Sequence, residues 1–200
     1  MKQRRGTKSV SKSTPQKAGR NKVMARRGKK KISASQVVAG KETLYTLTVY
    51  ITGGPISEEY AGQEISRTIQ IKGSQTLETL HHAIFEAFER WESHMYEFNL
   101  GKGPDDRSKI YSLYLPSGGF PGEEKPLGSV KTTTIDDLGL TVERAFGYAF
   151  DFGDDWQHQV NVDKIEPAPA RGKYPKVTKS IGEAPPQYPE EDDEFPDLVE

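Results

Sequence analysis

The 200-residue sequence holds four histidines and no cysteine. Three of the histidines, His81, His94 and His158, fall at or beside apolar faces of the segments that carry them. A cluster of aspartates, Asp151, Asp154 and Asp155, directly precedes Trp156 and His158. Three neutral imidazoles, or two with a carboxylate, are a donor set for Zn²⁺ with an open fourth position, or for Fe²⁺ in a facial triad. Such a centre activates water for hydrolysis. The candidate catalytic residues are therefore His81, His94, Asp151, Asp154 and His158. His81, His94 and His158 are the candidate ligands of a divalent metal cofactor. Positions 81, 94 and 158 match no recognised ligand spacing, however. The same pattern fits hydrogen-bonded core histidines that tie a helix to a hairpin, since a buried imidazole needs partners for both ring nitrogens. It also fits a polar pocket for a small ligand or a peptide.

The run Asp151-Phe152-Gly153 has the letters of a kinase magnesium motif. Its setting argues against a kinase, because no glycine-rich nucleotide loop, strand lysine or catalytic-loop motif accompanies it. Turn chemistry suits it better: a glycine at Gly153 tolerates positive φ, and Asp154 bonds its own backbone.

The elements that must position these side chains are legible from periodicity. Thr43–Ile51 alternates, with Tyr45, Leu47, Val49 and Ile51 on one face; Ile65–Ile71 places Ile65, Ile69 and Ile71 together. Leu77, Leu80, Ile84, Phe88 and Trp91 recur at helical spacing, and Ser74 or Thr76 can cap the start. His81 lies at the edge of that stripe, and His82 points to solvent. His94, Tyr96, Phe98 and Leu100 share one face of a further strand, and Lys109–Leu115 forms another. A short helical turn packs Ile135, Leu138 and Leu140. The last hairpin puts Phe146, Tyr148, Phe150 and Phe152 opposite Trp156, His158, Val160 and Val162. The order predicts an α+β class: a single roll- or grasp-like domain over 42–167, its mixed or antiparallel sheet packed on one main helix.

Charge divides the chain. Residues 1–41 hold 14 Lys/Arg and no acid; the rest holds the other 14 and all 29 Asp/Glu, which leaves it near −15. Residues 1–41 have too few large apolar side chains to offset ordering entropy, so a disordered basic tail is expected. Arg4, Arg5, Arg26, Arg27, Lys29, Lys30 and Lys31 are its candidate nucleic-acid contacts, through counterion release at phosphates. A solubilising tail would have the same composition, and no aromatic is interleaved for base stacking. Residues 168–200 are Pro-rich and then acidic, and read as an extended arm. Without cysteine there is no disulfide framework, and no run approaches the length of a membrane span. A cytoplasmic protein with no membrane contact is expected, with nucleic acid or another protein as its partner.

Several blocks together resemble the plasmid pRiA4b ORF-3-like family, also described as the passenger protein of an IS1096-type insertion element. These are Leu80-His81 with Ala87-Phe88; His94, Tyr96 and Phe98; Ile135–Leu140; Tyr148, Phe150, Asp151, Phe152, Gly153, Asp154, Trp156 and His158; and Tyr174–Glu191. The resemblance runs from about Leu44 to Glu191. It implies a compact α+β roll, an association with plasmids and transposable elements, and a recombinase-like label. It also implies a Cys-Pro-Pro-Glu-Asp-Cys-type segment near the end, where Ala184-Pro185-Pro186-Gln187-Tyr188 stands without cysteine. A serine recombinase surrounds its nucleophile with arginines, whereas 42–167 has only Arg67, Arg90, Arg107 and Arg144, none grouped with a serine. The functional expectation is an accessory or binding domain tethered to nucleic acid by its basic tail. The alternative is a metal-dependent hydrolase or nuclease-like enzyme with a His/Asp site.

Overall fold

The computed structural model describes residues 42–113 and 125–189. They build an open eight-stranded mixed sheet and one α-helix, an α+β arrangement. The strands are β1 (Thr43–Gly53), β2 (Ser66–Lys72), β3 (Tyr96–Asn99), β4 (Ile110–Ser112), β5 (Gly128–Ser129), β6 (Ala145–Phe150), β7 (Trp156–Pro167) and β8 (Lys176–Ile181). Their spatial order is β5-β4-β3-β6-β7-β1-β2-β8, antiparallel except for the β4–β5 pair. The helix α1 spans Leu77–Ala87, and a 3-10 turn spans Asp136–Leu138.

Alternation in β1 and β2 sets the core face: Tyr45, Leu47, Val49, Ile69 and Ile71 are fully buried. Helix α1 lays Leu77, Leu80, Ala83 and Ile84 on that face, as its 3.6-residue period requires. Thr76 caps it, the side-chain oxygen accepting from Thr79 N at 3.2 Å, with Glu78 in the first turn facing the positive end of the helix dipole. The helix ends earlier than the apolar stripe suggests. Phe88 is the C-cap and Glu89 takes a left-handed φ of 56°, which swings Trp91 out to 69% exposure. Ile135 and Leu140 are buried around the 3-10 turn, and Tyr45 Oη donates to Asp136 Oδ1 at 2.8 Å.

The β6–β7 hairpin pairs Tyr148 with His158, Phe146 with Val160 and Phe150 with Trp156, so all six share the inner face. Two expectations at its turn are corrected. Phe152 lies in the turn, exposed, and is not part of the aromatic face. The left-handed residues are Asp151 and Asp155, not Gly153. Asp151 bonds its own turn, with Oδ1 accepting from Gly153 N at 3.2 Å.

Residues beyond 167 also enter the sheet. Strand β8 pairs with β2 and forms one edge. Arg67, buried on β2, donates Nε to Ala87 O and Nη1 to the carbonyls of Ser66, Ile181 and Gly182, so it joins the C-terminal end of α1 to both strands. No helix among the described residues is long and apolar enough to cross a membrane.

Candidate functional site

Helix α1 carries His81 onto the sheet above β3 and β6. Its ring stacks on Tyr96 with centroids 3.5 Å apart and planes 3° from parallel. Its Nδ1 shares a 2.7 Å hydrogen bond with Tyr148 Oη. The cross-strand partner of Tyr148, His158, donates Nδ1–H to Tyr148 O at 3.3 Å. Tyr148 is therefore the hub: its phenol engages one imidazole and its carbonyl the other. Burial drives both rings toward the neutral form and pulls His81 and His158 down to about 3; His82 adds to the effect on His81, and Arg90 to that on His158. Burial pushes the Tyr148 phenol well above its ordinary value, so it stays protonated.

Arg90 closes the far side. Its guanidinium carbon sits 3.7 Å from the Trp156 ring centroid, and Nη1 donates to Pro185 O at 3.0 Å. Its Nε and Nη2 have no hydrogen-bond partner among the described residues, and burial pulls the group down to about 10. A cation held against an aromatic face while buried gains where water is excluded.

Residues 184–188 cover this region like a clasp. Gln187 Oε1 accepts from Trp91 N at 3.0 Å and Glu92 N at 3.1 Å, and its Nε2 donates to Glu92 O at 2.9 Å. Trp156 Nε1 donates to Gln187 O at 3.1 Å. Gln187 thus pairs the main-chain N–H groups of Trp91 and Glu92 and the Glu92 carbonyl in the segment that follows α1.

His94 stands apart, half-buried at the surface end of the hairpin. Its Nε2 lies 2.8 Å from Tyr188 Oη, 3.4 Å from Asp151 Oδ2 and 3.9 Å from Glu92 Oε1. Asp151 is buried, and its Oδ2 has no hydrogen-bond partner among the described residues. Asp154 lies in the adjoining turn, half-buried, its backbone N 3.5 Å from Asp151 Oδ1.

Of the expected site, then, the structure brings His81 and His158 to opposite sides of Tyr148 and leaves His94 with Asp151 and Tyr188. Among the described residues no three His, Asp or Glu side chains are arranged to hold a metal ion. His81 and His158 each engage Tyr148 through Nδ1, while His94 faces Tyr188 and Asp151. Arg4, Arg5, Arg26, Arg27, Lys29, Lys30 and Lys31 lie outside the described residues. The sequence pattern missed Arg90 and Gln187. Nothing marks Arg90 as buried, because charged residues are seldom inside. The block Ala184–Tyr188 was the available signal for the clasp.

The described residues form an α+β domain of one mixed sheet and one helix, with His81 and His158 hydrogen-bonded to Tyr148 in its core. The sequence profile of the family described as plasmid pRiA4b ORF-3-like protein matches residues 56–200, and the chain belongs to that family. The uncharacterized protein y4hQ of Sinorhizobium fredii (strain NBRC 101917 / NGR234) is 25% identical over 126 residues, which cover 62% of this chain and 58% of that protein. The chain therefore spans little more than half the length of that relative. The crystal structure of MM3350, a protein of unknown function from Methanosarcina mazei Go1, superimposes with a TM-score of 0.57 at 30% identity, covering 74% of each chain.

Proposed function

We propose that the chain is an accessory binding protein of plasmids and transposable elements, held to nucleic acid by its basic segment 1–41. A cytoplasmic location and a protein partner for the folded domain go with this reading. The observation that supports it best is the engagement of His81 and His158 with Tyr148. On this reading the two core imidazoles serve as hydrogen-bonded packing groups that join helix to hairpin. The charge of 1–41, 14 basic residues against no acid, supports the tether.

The test is binding of a short DNA duplex across a salt series, by fluorescence anisotropy. Replacing Arg26, Arg27, Lys29, Lys30 and Lys31 with serine should weaken binding. It should also flatten the slope of log K against log salt by up to about 4.5, at roughly 0.9 for each phosphate that is no longer neutralised. An unchanged slope would remove the segment as the point of attachment.

The hydrolase alternative has one feature in its favour: half-buried His94 lies 3.4 Å from the buried Asp151 Oδ2, which has no hydrogen-bond partner among the described residues. Elemental analysis of protein purified without a histidine tag separates the two readings. About one zinc or iron per chain would favour the enzyme, and a ratio far below one the binding protein.

A further inference from the structure

Of the five large apolar side chains that stand exposed among the described residues, three lie in one neighbourhood: Trp91, Met95 and Phe152. Asp151 N donates to Met95 O at 2.9 Å, which sets the hairpin turn that carries Phe152 against the segment that carries Trp91 and Met95. Tyr188 of the clasp adjoins both. Its ring lies 5.5 Å from that of Trp91, nearly at right angles to it, and its Oη lies 2.8 Å from His94 Nε2. A single exposed apolar group is ordinary on a protein surface, whereas a group of them marks a contact site.

The same neighbourhood is acidic. Glu92 Oε2 accepts from Tyr188 Oη at 3.2 Å, and Asp154 and Asp155 occupy the turn after Phe152. Desolvation, and then the charges of Glu92, Asp151 and Asp154, push the Tyr188 phenol above its ordinary value, so these carboxylates act on one point. Beneath it Asp151 is 4% exposed, and its Oδ2 is aimed at His94 Nε2, 3.4 Å away, with no hydrogen-bond partner among the described residues. A buried carboxylate is poorly screened, so its field reaches the surface above it. Over 89–95, 150–158 and 182–189 the one Lys or Arg is Arg90, which is buried against Trp156.

Charge and ring chemistry select the occupant. A two-fold pair of this chain would bring the same acids face to face, and a phosphate backbone or an anionic lipid surface would also meet them with like charge. A cation gains twice, from the carboxylates and from the open face of an indole. Arginine suits this better than lysine, because its planar guanidinium stacks on an aromatic ring while its N–H fork meets a carboxylate.

We propose that Trp91, Met95, Phe152 and Tyr188 form the docking surface for an arginine-bearing segment of a partner protein, its guanidinium held by the Trp91 ring and the carboxylates of Glu92 and Asp154. This rests on the reading of the folded domain as partner-binding and supplies the partner's chemistry. It does not need the nucleic-acid tether, whose DNA test reads a different segment.

The chain has two tryptophans, so the nitrogen-labelled full-length protein gives two indole N–H signals in NMR. That of Trp156 is buried and bonded to Gln187 O, whereas Trp91 is open. A short peptide of alternating arginine and glycine should move the Trp91 signal and leave Trp156 in place, and added salt should weaken the effect. Read through the amides of Phe152–Asp155, W91A should weaken binding about fivefold. E92Q with D154N, which keeps every ring, should weaken it several-fold and flatten its salt dependence. An equal response to the same peptide with glutamine for arginine would overturn the arginine assignment while keeping a partner surface. A Trp91 signal that neither peptide moves would overturn the surface itself. Trp91 shifts that follow protein concentration without peptide would place a second copy there. A response seen only after Arg26, Arg27, Lys29, Lys30 and Lys31 are replaced with serine would make this chain's own basic segment the occupant, and either result would overturn the proposal.

Discussion

Tyr148 Oη and carbonyl hold two imidazoles that burial keeps neutral, and this fixes the pH response of the molecule. His81 and His158 bind protons near 6.5 when unfolded but only near 3 when folded. Between those values the unfolded state holds more protons, so stability rises with pH through this window and is lost as pH falls below about 6.5. Each ring contributes a slope of up to about 1.4 kcal/mol per pH unit. Urea midpoints between pH 7 and pH 4.5 should fall steeply, and His81→Gln should remove about half of that dependence; a flat profile would contradict the burial. Tyr148→Phe keeps the ring and deletes the phenol, leaving His81 Nδ1 without its partner. The expected loss is about 1–3 kcal/mol in denaturant unfolding. At this scale the sequence was informative but ambiguous. Alternation placed His158 inside, and the helical period placed His81 at the core edge. Neither could say whether the rings would meet at a metal or at a tyrosine, because that depends on which strand lies under which turn of the helix.

The helix and the clasp depend on each other. Glu89 turns left-handed, α1 stops, and Gln187 takes up the amides of Trp91 and Glu92. Gln187→Ala should cost about 2–3 kcal/mol by leaving two donors and an acceptor unpaired near the core, measurable by urea unfolding; a loss below about 0.5 kcal/mol would mean that the clasp is idle. Thr76→Ala at the other end should cost about 1 kcal/mol, the usual worth of an N-cap. The strands and the helix were readable because each buries one face at its own period. The early helix stop was not, since Trp91 continues the stripe and only the left-handed Glu89 breaks it. Strand β8 escaped for a related reason: its residues are exposed on nearly every position, so Lys176–Ile181 has no alternation to detect.

Across the whole molecule, charge is sorted by region: basic residues fill 1–41, acids fill the end, and exposed lysines line the edge strand β8. Composition alone revealed that division, whereas the exposed basic edge became visible only when β8 took its place in the sheet.

The central claim is that the buried histidines are core groups. Nitrogen NMR of the His81 and His158 rings, followed from pH 5 to pH 8 with and without one equivalent of Zn²⁺, tests this directly. Neutral rings are expected, each in one tautomer, that neither titrate nor respond to the metal. A midpoint near 6.5, or shifts of both rings with zinc, would contradict it.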